Sequence, residues 1–310
     1  MTRLDEETIT LAGWFVRLTG RVLEQRLFAH HFEGGDAAGV RAALEAYRAP
    51  DGGFAFGLEP DVRGPASQPL AVPSALHILA AAGQLDQETG GALCDWLTRV
   101  AGADGGAPSV LATLAAHPHP PFLPVPDPDS EVAGDLLATG QIAGPLLEHG
   151  IRHPWLDGAV AFCWRAIEAL DRTHPYEVSA ALDFLDHVPD RDRAEKEAER
   201  LGRLTREQGL VPSDPAHPEA DAVIAAGYAP GEWHYAHDYA RTPDSLAARW
   251  FTDREMAAGL DFLKAQQTED GGWPITYVQW APNTAMEARP SITLRALRTL
   301  RAWDRRGAGD

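Results

Sequence analysis

Cysteine is nearly absent: two in 310 residues, Cys94 and Cys163, are too few for a disulfide framework and fit a reducing compartment. Both fall in apolar helical patterns, where a thiol behaves as a small buried hydrophobe. No apolar run approaches the roughly 18 residues that a membrane span requires. The opening residues Met1-Thr-Arg-Leu-Asp-Glu-Glu are acidic where a signal peptide would be apolar, so a cytoplasmic location is expected. Basic charge is also short, with 27 Lys and Arg against 45 Asp and Glu and a net charge of −18. That field repels nucleic acid and anionic lipid surfaces over a Debye length of about 8 Å, so no nucleic-acid partner is expected. A local basic pocket can still hold a phosphate, against the global field. Strand-like alternation is scarce and no Ser/Gly linker divides the chain. The expectation is one all-α domain over residues 1–310, large enough to bury about three-quarters of its unfolded surface without staples.

Against these absences, one tripeptide is conspicuous. Helical-looking stretches run into Asp-Gly-Gly at Leu44–Phe54, Leu93–Ala107 and Leu260–Trp273. Asp51 to Asp104 is a step of 53 residues, a period that signals helical-hairpin repeats. Fainter echoes at Trp155–Gly158 and Glu207–Leu210 extend the series to steps of 53, 53, about 51 and about 63 residues. Glycine after an amphipathic helix lets the chain take a positive φ and turn sharply. An aromatic residue behind the glycines can then pack back as an anchor.

The third copy reads F-L-x-x-x-Q-x-x-x-G-x-W through Phe262, Leu263, Gln267, Gly271 and Trp273. It resembles the QW repeat of the terpenoid cyclase and protein prenyltransferase superfamily, including its squalene–hopene cyclase branch. The basic residue that often begins that motif is missing, since Ala258 precedes Gly259. The first copy keeps Tyr47 and Phe54 without the glutamine, and the second keeps Trp96-Leu97. The resemblance implies an (α/α) toroid of five to six helical hairpins. It is divergent: there is no D-x-D-D acid motif, no D-D-x-x-D motif for metal-assisted diphosphate ionisation, and no D-x-C zinc element. H-E-x-x-H, P-loop, G-x-G-x-x-G and G-x-S-x-G patterns are missing as well. No metal and no cofactor is expected.

Amphipathic periodicity predicts helices over much of 4–32, Val40–Tyr47, Leu76–Ala82, Trp155–Leu170, Val178–Val188, Met256–Gln267 and Ile292–Trp303, with Pro290 opening the last. The densely charged stretch Arg191–Arg206 reads as an outer helix. Six prolines in residues 117–130 predict an extended connector, acting as a rigid crossover or as a lid.

Three constellations carry chemistry. After the first Asp-Gly-Gly, Pro60 is expected to hold the chain extended, so that Glu59, Asp61 and Arg63 project from one face. Paired carboxylates split their pKa values, and the neutral one suits protonation of an alkene or epoxide; the bland reading is an Asp61–Arg63 pair tying down a loop. The second is Trp233-His234-Tyr235-Ala236-His237-Asp238-Tyr239, where imidazoles can relay protons and aromatic faces can stabilise a cation. Its bland reading is a packed aromatic loop. The third comprises Trp273, Tyr277 and Arg289, the arginine placed to hold an anion beside a helix start or else to pair with Glu287.

The expected function is metal-independent acid–base chemistry on an isoprenoid or other apolar substrate: cyclisation, isomerisation or hydration of an alkene. Asp61 or Glu59 is the candidate acid, and His237 and Asp238 the base or relay. Trp233, His234, Tyr235, Tyr239, Trp273, Tyr277 and Arg289 are the candidate substrate contacts. Two alternatives stand beside it: a non-catalytic toroid that binds an apolar ligand or a partner, and a carbohydrate-active (α/α) barrel using paired carboxylates.

Overall fold

The computed structural model describes residues 4–307, and among them there is no strand, only an isolated bridge between Arg48 and Phe54. The helices are α1 Glu6–Thr19, α2 Val22–Phe32, α3 Ala37–Glu45, α4 Val72–Ala81, α5 Gln87–Val100 and α6 Leu136–Glu148. They continue as α7 Pro154–Glu168, α8 Pro175–Leu185, α9 Arg191–Glu207, α10 Ala236–Tyr239, α11 Asp253–Ala265 and α12 Thr284–Gly307. Their starts follow from capping chemistry. Asp5 accepts from Thr8 N, Asp36 from Gly39 N and Asp86 from Thr89 N, while Thr252 and Glu255 form a reciprocal box at α11. Residues 117–135 carry no helix.

The last helix corrects the sequence reading. It begins at Thr284, so Pro290 lies inside α12 and withholds the N–H that would have bonded to the Met286 carbonyl. No helix among the described residues is long and apolar enough to cross a membrane.

The chain divides into two compact units, with the division falling within α8 and α9. The first comprises residues up to Glu33, Asp171–Leu182 and Glu195 onward. In it α1 packs on α2 and α12, α11 on α12, and α10 on α11, burying Phe15, Val16, Leu23, Leu260, Trp273 and Leu297. The second comprises Gly34–Leu170 and Asp183–Ala194. There α6 packs on α4 and α7, and α7 on α5, over Leu76, Leu93, Trp96, Ile142 and an edge-on pair of Trp164 with Phe184.

All three Asp-Gly-Gly segments adopt one backbone shape. The first glycine has a positive φ in each case: +96° at Gly52, +91° at Gly105 and +88° at Gly271. The aspartate accepts from the second glycine's N–H at 3.1 Å (Asp51), 3.0 Å (Asp104) and 3.1 Å (Asp270). The residue two before it, Ala49, Gly102 or Thr268, donates to the second glycine's carbonyl and accepts from the first glycine. Each turn is pressed against a helix. A Cβ on Gly53 would meet Trp96 of α5 at 2.5 Å, one on Gly106 would meet Phe162 of α7 at 2.9 Å, and one on Gly272 would meet Phe15 of α1 at 2.7 Å. The residue behind the glycines is buried every time, as Phe54, Ala107 and Trp273. The fainter echoes do not share this geometry: Gly158 lies inside α7, and Gly209 ends α9 with a positive φ.

Candidate functional site

In the first unit, the segment from Tyr228 to Tyr239 folds back on itself and gathers titratable groups among aromatic rings. Glu232 closes a turn, donating its N–H to the Ala229 carbonyl while its Oε2 accepts from Ala229 N at 2.9 Å. Its Oε1 accepts from the Tyr176 hydroxyl at 3.1 Å, a bond that reaches back to the start of α8. Glu232 is only 4% exposed, and burial raises its pKa despite the two hydrogen bonds, which pull the other way.

Three residues on, Tyr235 precedes the single turn of α10. Asp238 Oδ2 accepts from Tyr235 N at 2.9 Å, and Asp238 N returns a bond to the Tyr235 carbonyl. His237 Nε2 lies 3.7 Å from the same Oδ2. Burial pushes the Asp238 carboxyl up, but His237, His234, the Tyr235 N–H and Arg295 outweigh it and leave the pKa below the ordinary value. Burial lowers His237 despite Asp238, so the pair at neutral pH is a carboxylate beside a neutral imidazole. His237 is sandwiched: Tyr235 stacks on it with centroids 5.6 Å apart, and Gly259 of α11 lies against Nδ1, where a Cβ would sit 3.3 Å away. Nδ1 is buried there without a well-formed hydrogen bond.

The other rings form a connected group. Tyr176 meets His174, Tyr228 and His234 at centroid distances of 5.3, 5.4 and 5.4 Å, and His234 meets Tyr239 at 5.6 Å. Tyr228 Oη and His234 Nδ1 share a 2.9 Å hydrogen bond, and Tyr239 donates to the Leu210 carbonyl at 2.9 Å. Burial pushes His234 down to about 4 and lowers His174 too, while it raises the hydroxyls of Tyr176, Tyr228 and Tyr239. At neutral pH the group is therefore a set of uncharged rings and protonated phenols beside the Asp238 and Glu232 carboxyl groups. Arg295 and Tyr176 both retain accessible surface, yet loss of hydration lowers the arginine and raises the tyrosine. Tyr277 acts electrostatically on both and belongs to the same neighbourhood.

Of the residues singled out in the sequence, His234, Tyr235, His237, Asp238, Tyr239 and Tyr277 fall within this group, with half-buried Trp233 beside it in the chain. Trp273 and Arg289 are engaged elsewhere. Trp273 is fully buried, with its indole N–H on the Leu263 carbonyl at 2.7 Å and its backbone N–H on Thr293. The Arg289 guanidinium binds both Asp270 oxygens, Thr268 Oγ1 and the Trp273 carbonyl, and covers the Phe15 ring. These two residues brace the third turn. Glu59 and Asp61 belong to the second unit. The extended backbone expected there is instead a turn, with Val62 N donating to the Glu59 carbonyl; Pro60 sits at the second turn position, which its fixed φ favours. Ser74 Oγ donates to Glu59 at 3.3 Å, and Asp61 is half-buried. Glu232 and Tyr176 went unnoticed in the sequence, being 56 residues apart and individually ordinary.

Comparison with known proteins gives the fold. The sequence matches no protein-family model and no curated protein. Among solved structures, a protein from Actinoplanes is similar over 95% of this chain and 88% of its own, with a TM-score of 0.55 and 17% identity. A variant of the type II terpene cyclase MstE from Scytonema, in complex with merosterolic acid A as product, is similar over 96% of this chain and 86% of its own (TM-score 0.52, 14% identity). Another MstE variant, in complex with geranylgeranyl dihydroxybenzoate as substrate, has a TM-score of 0.50 at 14% identity over the same shares. The likeness is one of fold: an all-α (α/α) toroid of the terpene cyclase kind.

Proposed function

We propose that this protein is a terpene cyclase-like enzyme that reorganises an isoprenoid or similarly apolar substrate by metal-independent acid–base chemistry. The observation that carries the reading is the placement of Asp238, with its Oδ2 3.7 Å from the His237 imidazole and its segment packed among aromatic rings; its lowered pKa favours the ionised form. A carboxylate in such a setting stabilises developing positive charge electrostatically, and the rings add their negative faces. Neutral His234 and His237 accept and pass protons. Likeness in fold to a cyclase that holds a geranylgeranyl compound supports an apolar, polyprenyl substrate class. Which group acts as the starting acid is tested separately, by assaying Asp61→Asn and Glu59→Gln on polyprenyl probes.

The test uses polyprenyl probes (squalene, geranylgeraniol and geranylgeranyl dihydroxybenzoate) incubated with the purified chain in D2O. Protonation by a solvent-exchanged acid followed by loss of a different proton yields an isomer one mass unit heavier. Hydration adds water as well. Consumption of none of the probes, with or without their retention on the protein, overturns the enzyme reading; retention without turnover favours the binding alternative.

A further inference from the structure

From the geometry we infer that Tyr176 and Glu232 form the proton-accepting end of this site, a catalytic couple that ends the reaction by deprotonation. The inference rests on the acid–base reading above and gives it a second carboxyl group. Three observations on the molecule point to it. The Tyr176 hydroxyl donates to Glu232 Oε1 at 3.1 Å, so the phenol oxygen has lone pairs free while its proton already lies on the path to a carboxylate. Tyr176 is 39% exposed and Glu232 only 4%, so the phenol is open to a reactant and the carboxylate is buried behind it. The couple is held rigidly: the Tyr176 N–H donates to His174 Nδ1 at 3.3 Å, the Tyr176 ring packs on Tyr228 and His234, and Glu232 Oε2 is fixed by Ala229 N.

The step balances. In a cationic intermediate, the C–H bond next to the electron-deficient carbon breaks and its electron pair forms the alkene. The proton goes to Tyr176 Oη, and the phenol's own proton moves to Glu232 Oε1. The cation and the carboxylate are thereby both neutralised. Reset reverses the relay, with Tyr176 passing the proton to solvent water at its exposed face. The same burial that excludes water from Glu232 strengthens its hold on a proton, which makes it a better acceptor than a surface glutamate. Asp238, whose affinity for a proton is depressed, suits the complementary task of remaining charged throughout.

The test compares Tyr176→Phe and Glu232→Gln with the unaltered protein on the same polyprenyl probes, reading rate and product partition by mass spectrometry. Both variants keep ring or side-chain shape, and a melting temperature within a few degrees of the original confirms folding. Expected are at least a tenfold fall in alkene product and a shift toward water-capped product of mass +18, with probe consumption falling less than alkene formation. Glu232→Asp should restore part of the alkene fraction. Unchanged partition and rate in both variants, with the unaltered protein active, overturn this inference alone. Inactivity of the unaltered protein on every probe overturns the enzyme reading and this inference with it.

Discussion

Asp51 and Asp270 head turns of the same backbone shape, yet they serve different neighbours. Asp51 accepts from the Trp96 indole at 3.1 Å and from Ser67 Oγ at 2.6 Å, whereas Asp270 takes the fork of Arg289 at 2.7 and 2.8 Å. Asp104 uses its second oxygen for the N–H of Gly134 at 2.9 Å. The shared part is the glycine geometry; the clients are local. Asp238 differs from all three, since it caps one turn of helix beside two imidazoles and no glycine pair follows it. The repeat thus marks how hairpins are joined, and the proposed chemistry is assigned to a segment that does not repeat.

The largest expected effect separates the two kinds of aspartate. Asp238→Asn should lower turnover by about 10²- to 10⁴-fold, the usual range for removing an acid–base group, while Asp270→Asn leaves turnover per folded molecule unchanged. Equal losses in steady-state rates of the two variants would dissolve the distinction.

The next effect lies within the turns. Gly52→Ala meets nothing nearer than Trp96 Cβ at 3.9 Å, so its cost is the positive φ alone, about 1–2 kcal/mol. Gly271→Ala adds a Cβ 2.2 Å from the Leu11 carbonyl oxygen, so overpacking joins the strain and the sum rises to about 2–5 kcal/mol. Denaturant midpoints should rank the two in that order. Comparable to Gly52→Ala is Trp96→Phe, which removes one hydrogen bond to Asp51 and part of a buried ring, roughly 1–3 kcal/mol.

The smallest effect is on pH. Hydrogen bonds from Arg289 hold Asp270 well below the usual carboxylate range, although burial opposes them. A depressed carboxyl contributes stability that is complete above its unfolded value of about 3.9 and is lost as pH falls through the folded value. Half of the Asp270 side chain is exposed, so the contribution is modest. Arg289→Gln should flatten the acid limb of a melting-temperature profile below about pH 4 and leave it parallel to the original near neutrality.

The turns were legible because only glycine tolerates their positive φ, and a residue type dictated by sterics leaves a mark in the sequence. The helices were legible for a similar reason, from apolar spacing along α1, α7 and α11. The loop at Pro60 was misread because proline favours both extended neighbours and the second position of a turn, and nothing local decides between them. Pro290 equally suits a helix start, where its missing N–H is harmless, and the sequence around it does not reveal that the helix already begins at Thr284. Glu232 carried no signal at all. Its significance lies in being buried against Tyr176, and burial in a loop is a tertiary fact.

The third turn has a consequence for synthesis. Gly271 and Gln267 seat on α1, and Lys264 binds Asp5 across 259 residues of chain. A ribosome adding about 5–20 residues per second would therefore release α1 roughly 10–50 s before these distant partners exist. Throughout that interval α1 has only α2 of its native neighbours, and Phe15, buried in the finished protein, lacks the third turn and the Arg289 side chain that cover it. Residues 34–170, which make up most of the second compact unit, emerge during the same wait. The nascent chain should thus bind a hydrophobic-segment chaperone through its first helix until α11 and α12 arrive. A stalled chain ending before Asp253 should crosslink to such a chaperone at Phe15, and a released full-length chain should not.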